Sequence, residues 1–198
     1  PRPKGRSWRS RRARSRRPAS TTPPGPARPS RAAARRSPLL GPARTAARLG
    51  AALEDGPDRA LIQAVTARYA SPQPEDRGPL DEAFAAAMAE VYRRFPDDGD
   101  VGALYAEALL DLHPWDLWTG DGEPRPWTPE VVALLERVLE RHPDHPLALH
   151  LYVHAVEASN DPGRADMAAD RLRDLMPGLG HLVHMPSHID VRRGRWQQ

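Results

Sequence analysis

Three stretches of this 198-residue chain can be laid over one another: FPDDGDVGALYAEALLD from residue 95, HPDHPLALHLYVHAVEA from 142 and MPGLGHLVHMPSHIDVR from 176. Pro96, Pro143 and Pro177 then fall in register. The second and third stretches are 34 residues apart. The first and second are 47 apart, the same period lengthened by a 13-residue insertion around HPWDLWTGDGEPRPW. A fixed period constrains the fold more than any other feature, because one such unit cannot bury its own apolar face and must stack on its neighbours.

Within each unit the pattern is helical. Apolar runs at 57–70, 79–95, 99–112, 128–141, 146–159, 162–176 and 180–193 alternate with breaks that carry Pro or Gly. Pro57, Pro129 and Pro162 sit at or near helix starts, where a missing N–H is tolerated, and Thr128 and Asp161 are the expected N-caps. No segment shows the alternation of a half-buried strand. The expectation is an all-α fold of short antiparallel helix pairs, with Leu134, Leu135, Val138, Leu172 and Leu175 in its core.

Charge divides the chain in a second way. Residues 1–50 hold fifteen Arg or Lys and no Asp or Glu, whereas the other 148 hold fourteen basic and twenty-six acidic residues. The net +3 therefore describes neither part. A segment so rich in Arg, Pro, Ser and Ala cannot offset its chain entropy by burial, and residues 1–50 are expected to be disordered. Such a segment fits an arm that neutralises the phosphates of nucleic acid or a membrane surface. It also fits sequence read upstream of, or out of, the frame of a GC-rich gene, which the absence of an initiating Met favours; nucleic acid is a partner only if the segment is genuine.

Residues 51–198 are then the helical domain. No apolar run reaches the 18 residues of a membrane span and no secretory signal is visible, so a cytoplasmic protein without membrane contact is expected. The absence of cysteine excludes disulfides, thiolate metal sites and cysteine nucleophiles.

Between Pro143 and Pro177 the chain resembles a tetratricopeptide repeat, with Leu149 at the fourth position, Ala165 at the twentieth and Pro177 at the thirty-second. Tyr152, Val153, Val156 and Ala169 stand where that family has Leu, a small residue, Tyr and a large aromatic. The resemblance covers about residues 57–198, most closely 96–193. It implies a right-handed α-solenoid whose first helices line a concave groove that takes a protein or peptide partner. Carried over residue by residue, the groove positions are Asp100, Ala103, Glu107, Leu110 and Asp111; Leu147, His150, His154, Glu157 and Ala158; and His181, His184, His188, Val191 and Arg192. Arg192 is the only basic residue among them, so the Lys/Arg clamp with which some family members hold a C-terminal carboxylate is absent. The resemblance also implies a second helix after GRWQQ, so a chain truncated at its C-terminus is expected.

Five of the eight histidines fall on these groove positions; His113, His142 and His145 fall in loops or turns. Spacing alone makes the same point. His150, His154 and Glu157 follow an i, i+4, i+7 pattern and His181, His184 and His188 an i, i+3, i+7 pattern, each set on one helical face. A 34-residue shift places His150 on His184 and His154 on His188, and Glu107 falls at the position equivalent to both. Neighbouring helices about 8–10 Å apart let such imidazoles meet.

Neutral imidazoles with a nearby carboxylate suit a borderline transition metal, so His150, His154, Glu157, His181, His184, His188 and Glu107 are the candidate ligands for Zn²⁺, Cu²⁺, Ni²⁺ or Fe²⁺. Two other uses fit the same residues. One is a polar groove for an acidic or polar peptide; the other is an enzyme, either a metalloenzyme in which Glu157 or Glu107 acts as base or a metal-free acid–base catalyst using a histidine beside a carboxylate. Pro186 either kinks the last helix or starts it. In the insertion, Trp127 is expected to cap the core, while Trp115 and Trp118 fit either a core cap or a lid over the groove.

Overall fold

A computed structural model describes residues 39–197. Among them the regular elements are helical throughout: α1 Leu40–Gly50, α2 Pro57–Ala64, α3 Gly78–Arg94, α4 Gly99–Leu112, α5 Thr128–Arg141, α6 Pro146–Val156, α7 Asp166–Leu175, α8 Gly180–His184 and α9 Pro186–Arg193. A 3₁₀ turn, Val65–Arg68, follows α2, and another, Pro162–Ala165, leads into α7. The β-bridge between Trp118 and Pro124 is isolated. None of these helices is long and apolar enough to cross a membrane.

Helix α1 moves the boundary expected at residue 50. Leu40, Ala43 and Gly50 are buried, and Gly50 packs so close to Ile62 that a Cβ there would come within 3.0 Å of its Cγ2. The basic composition of this stretch hides a short run of helix formers whose apolar side faces α2. The part of the basic segment before residue 39 lies outside the described residues.

Neither expected cap makes a capping hydrogen bond. Trp127, not Thr128, occupies the cap position of α5, and the buried Thr128 hydroxyl donates to the Leu117 carbonyl. A buried carbonyl needs a donor, and that need outweighs capping here. Asp161 precedes its 3₁₀ turn without capping it. The side chains that do cap are Asp98, which accepts from the Val101 amide at 2.9 Å, and His145, whose Nδ1 accepts from the Ala148 amide at 3.2 Å.

Each helix from α1 to α7 packs on the next, α8 and α9 return onto α7, and α4 touches α6 as α6 touches α9. Helix α4 joins two cores. Val101 and Ala108 face Phe84, Met88 and Val91 of α3, while Ala103 and Ala106 face Leu135, Leu149 and Val153 across α5 and α6. Its small residues permit this close approach: a Cβ on Gly102 would lie 2.5 Å from Val138 Cγ2, so no side chain fits there. Leu134, Leu135 and Leu172 are buried as expected, and Leu175 is 36% exposed.

The stretch around the insertion, residues 113–127, is pinned across α6. Trp118 Nε1 donates to the Ala155 carbonyl at 2.8 Å, and Asn160 Nδ2 donates to the Asp121 carbonyl at 2.8 Å. Trp127 packs on the core, donates to the Asp116 carbonyl and stacks on His113 at 3.8 Å between ring centroids. Pro186 takes the first position of α9, where it forfeits no helical hydrogen bond. Fully buried Met185 keeps helical dihedrals between α8 and α9.

Candidate metal centre and adjoining cleft

Helix α6 presents His150 and His154, and Glu157 follows as its C-terminal cap residue. Helix α8 presents His181 and His184, and α9 presents His188. The five imidazoles form a closed ring. Passing from His150 through His154, His188, His184 and His181 back to His150, the centroids are 4.9, 5.2, 5.1, 5.0 and 4.9 Å apart. His150, His154 and His188 are half-buried, while His181 and His184 face solvent.

Nitrogen positions define the chemistry further. His181 Nε2 lies 3.0 Å from His150 Nε2, and His184 Nε2 lies 3.1 Å from His188 Nε2. Two imidazole nitrogens bound to one zinc ion at its usual bond length stand about 2.9 Å apart at a right angle and about 3.4 Å apart at a tetrahedral angle. Both pairs therefore already stand at the separation of two ligands on one metal ion. Ligand atoms of His150, His154 and His181 all lie within 4.8 Å of one another, as do those of His154, Glu157 and His188.

Glu157 occupies a special place. His154 Nδ1 donates to its Oε1 at 2.9 Å and His188 Nδ1 to its Oε2 at 2.6 Å. Burial pushes the Glu157 carboxyl up, but the two imidazole donors outweigh burial and hold it below the ordinary glutamate range. An ionised carboxylate only accepts, so both Nδ1 atoms carry hydrogen, and in a neutral ring the lone pair then sits on Nε2. Burial, reinforced by the four surrounding imidazoles, pushes His150 down to about 4, so its ring is neutral at pH 7 and able to donate to a metal.

The other three histidines have separate structural roles. His113 stacks on Trp127, and His142 donates through Nε2 to the Asp97 carbonyl at 2.9 Å. His145 accepts at Nδ1, so its Nε2 carries the hydrogen that it donates to Asp100 Oδ1 at 3.1 Å.

One side of the ring opens into a cleft of about 850 Å³. Its floor is formed by Glu107, Leu110 and Asp111 of α4; His154, Glu157 and Ala158 at the end of α6; and His188, Val191 and Arg192 of α9. The insertion supplies Leu117, Trp115 and Trp118, and α6 adds Leu151. Glu107, an expected ligand, is thus in the cleft but outside both groups of atoms within ligand distance. Burial, with Asp111 adding and Arg68 opposing, raises its carboxyl above the ordinary range.

Trp115, expected as either a core cap or a lid over the groove, lines the cleft, and only its backbone conformation has no sequence signal. It is 89% exposed, its φ of 62° is in the left-handed region, and its ring meets His154 edge-on at 6.0 Å. A bulky side chain is rarely held in that conformation. Neither a protein-family model, nor a curated protein, nor a solved structure matches this chain.

Proposed function

We propose that the five-histidine ring is a transition-metal site carried by a tetratricopeptide-like right-handed α-solenoid. The observation that carries the metal reading is the Nε2 to Nε2 spacing of 3.0 and 3.1 Å in two imidazole pairs. In each pair one Nε2 donates to the other, and moving that hydrogen to Nδ1 would leave two lone pairs at a separation that two ligands of one ion share. Glu157 orients His154 and His188 through their Nδ1 atoms and leaves Nε2 for the metal, the arrangement by which carboxylates fix histidine ligands. In this reading the ligands are imidazoles and Glu157 stands behind them. Zn²⁺, Cu²⁺, Ni²⁺ and Fe²⁺ all accept such donors.

The solenoid reading draws on the cleft. The triplets 107/110/111, 154/157/158 and 188/191/192 are related by the 47- and 34-residue spacings, and all nine residues line it. That is the behaviour of equivalent positions in stacked repeats.

Metal content of the purified chain, measured beside a His154→Ala, His188→Ala double variant, tests the reading. Near-stoichiometric Zn, Cu, Ni or Fe in the parent and its loss in the variant are expected. If the parent carries no metal and gains no thermal stability from any of the four ions, the metal site is wrong and a polar peptide groove replaces it.

A further inference from the structure

The cleft beside the histidine ring is far larger than a metal ion requires. Its volume of about 850 Å³ lies within the range of sites that enclose organic ligands. Leu110, Leu151 and Trp118 give it an apolar wall, and Trp115 stands at it with most of its surface exposed. Holding Trp115 at positive φ costs backbone energy without gaining burial, a combination that collects at ligand-binding positions.

The polar groups narrow the class of ligand. Asp111 is paired with Arg68, Glu157 with two histidines, and Arg192 donates to the Ser159 carbonyl at 3.3 Å. Of the carboxylates that line the cleft, Glu107 alone has no hydrogen bond or ion pair with a described residue. It is half-buried beside a second carboxylate, an arrangement that a cation relieves and an anion worsens. Trp115 also lines the cleft with most of its ring exposed, a surface on which an apolar or aromatic body can pack.

We propose that the cleft binds a primary amine with an apolar or aromatic body, the ammonium at Glu107 and the body against Trp115 and Trp118. The proposal stands apart from the metal reading, since neither Glu107 nor Trp115 belongs to the histidine ring.

Calorimetric titration of the EDTA-stripped chain with phenethylamine, 2-phenylethanol and 3-phenylpropionate tests it. Saturable binding of the amine is expected, with the alcohol weaker and the acid weakest. Glu107→Gln should weaken amine binding roughly ten- to hundredfold, the range of a lost charge-assisted contact. Trp115→Ala should weaken it about three- to tenfold. A His150→Ala, His181→Ala variant should bind the amine as the parent does, whether or not the parent holds metal. Equal thermal midpoints for Glu107→Gln and the parent show that the variant is folded. No amine binding, equal or tighter binding of 3-phenylpropionate, or undiminished binding by folded Glu107→Gln each overturns the proposal.

Discussion

The turn between α5 and α6 and the surface formed by α6, α8 and α9 both concentrate histidine, and they use it in opposite ways. In the turn, His145 accepts a backbone amide through Nδ1 and donates Nε2–H to Asp100. On the helical surface, His154 and His188 donate Nδ1–H to Glu157, and His188 turns its Nε2 toward that of His184. The first tautomer is fixed by a helix end and the second by a half-buried carboxylate. Histidine count alone therefore says little; the partner of Nδ1 decides whether a ring serves structure or ligation.

The largest effect should come from removing one pair from each region. His150→Ala with His181→Ala should lower metal affinity about a hundredfold or more, beyond the range expected for losing an orienting partner. His142→Ala with His145→Ala should leave the metal-to-protein ratio unchanged. Equal loss in both, read by competition with a metal-sensitive dye, would erase the distinction.

Glu157→Gln comes next. A carboxamide offers one acceptor and one donor, so it can support only one of the two Nδ1–H groups. A loss of roughly ten- to hundredfold in metal affinity, with metal still bound at saturation, is expected from titration. Complete loss would instead make Glu157 a direct ligand.

Acid should weaken the helical surface in two successive windows. His150 has a folded value of about 4 against an ordinary 6.5, because burial and neighbouring imidazoles favour the neutral ring. Its contribution to the metal-free chain is full above pH 6.5 and declines as pH falls toward 4, since the unfolded chain takes up the proton first. Glu157, held below 4.5, contributes above that value and loses its contribution as pH falls further. Urea midpoints should fall between pH 7.5 and pH 5, and His150→Gln should flatten that fall.

Two smaller effects complete the contrast. His145→Ala should destabilise the chain by about 1 kcal/mol through loss of an N-cap, measured by urea unfolding. Trp115→Gly should stabilise it by about 1 kcal/mol by relieving the positive φ, while weakening occupation of the cleft. A destabilised Trp115→Gly chain would show that the ring contributes packing that its exposure hides.

The helix boundaries were legible because they are local events. Pro57, Pro129, Pro162 and the breaks at 96, 143 and 177 mark them, and seven expected helical runs correspond to elements that begin or end within a few residues. The unexpected α1 shows the limit of composition. Arg-rich sequence looks unable to fold alone, yet Leu40, Ala43 and Gly50 find cover on α2. Thr128 failed as a cap for a similar reason: the carbonyl that claims its hydroxyl is eleven residues away in the chain.

By itself the sequence determined a helical chain with a 34-residue period, and it put five histidines on helical faces. Periodicity fixes a face because side-chain direction repeats with the backbone. Only the tertiary structure decided that the five rings close on one another, that Glu157 is shared between His154 and His188, and that Trp115 stands exposed over the cleft. Those outcomes depend on distances between helices and on which donor reaches which acceptor first, and neither quantity is encoded in any single stretch of residues.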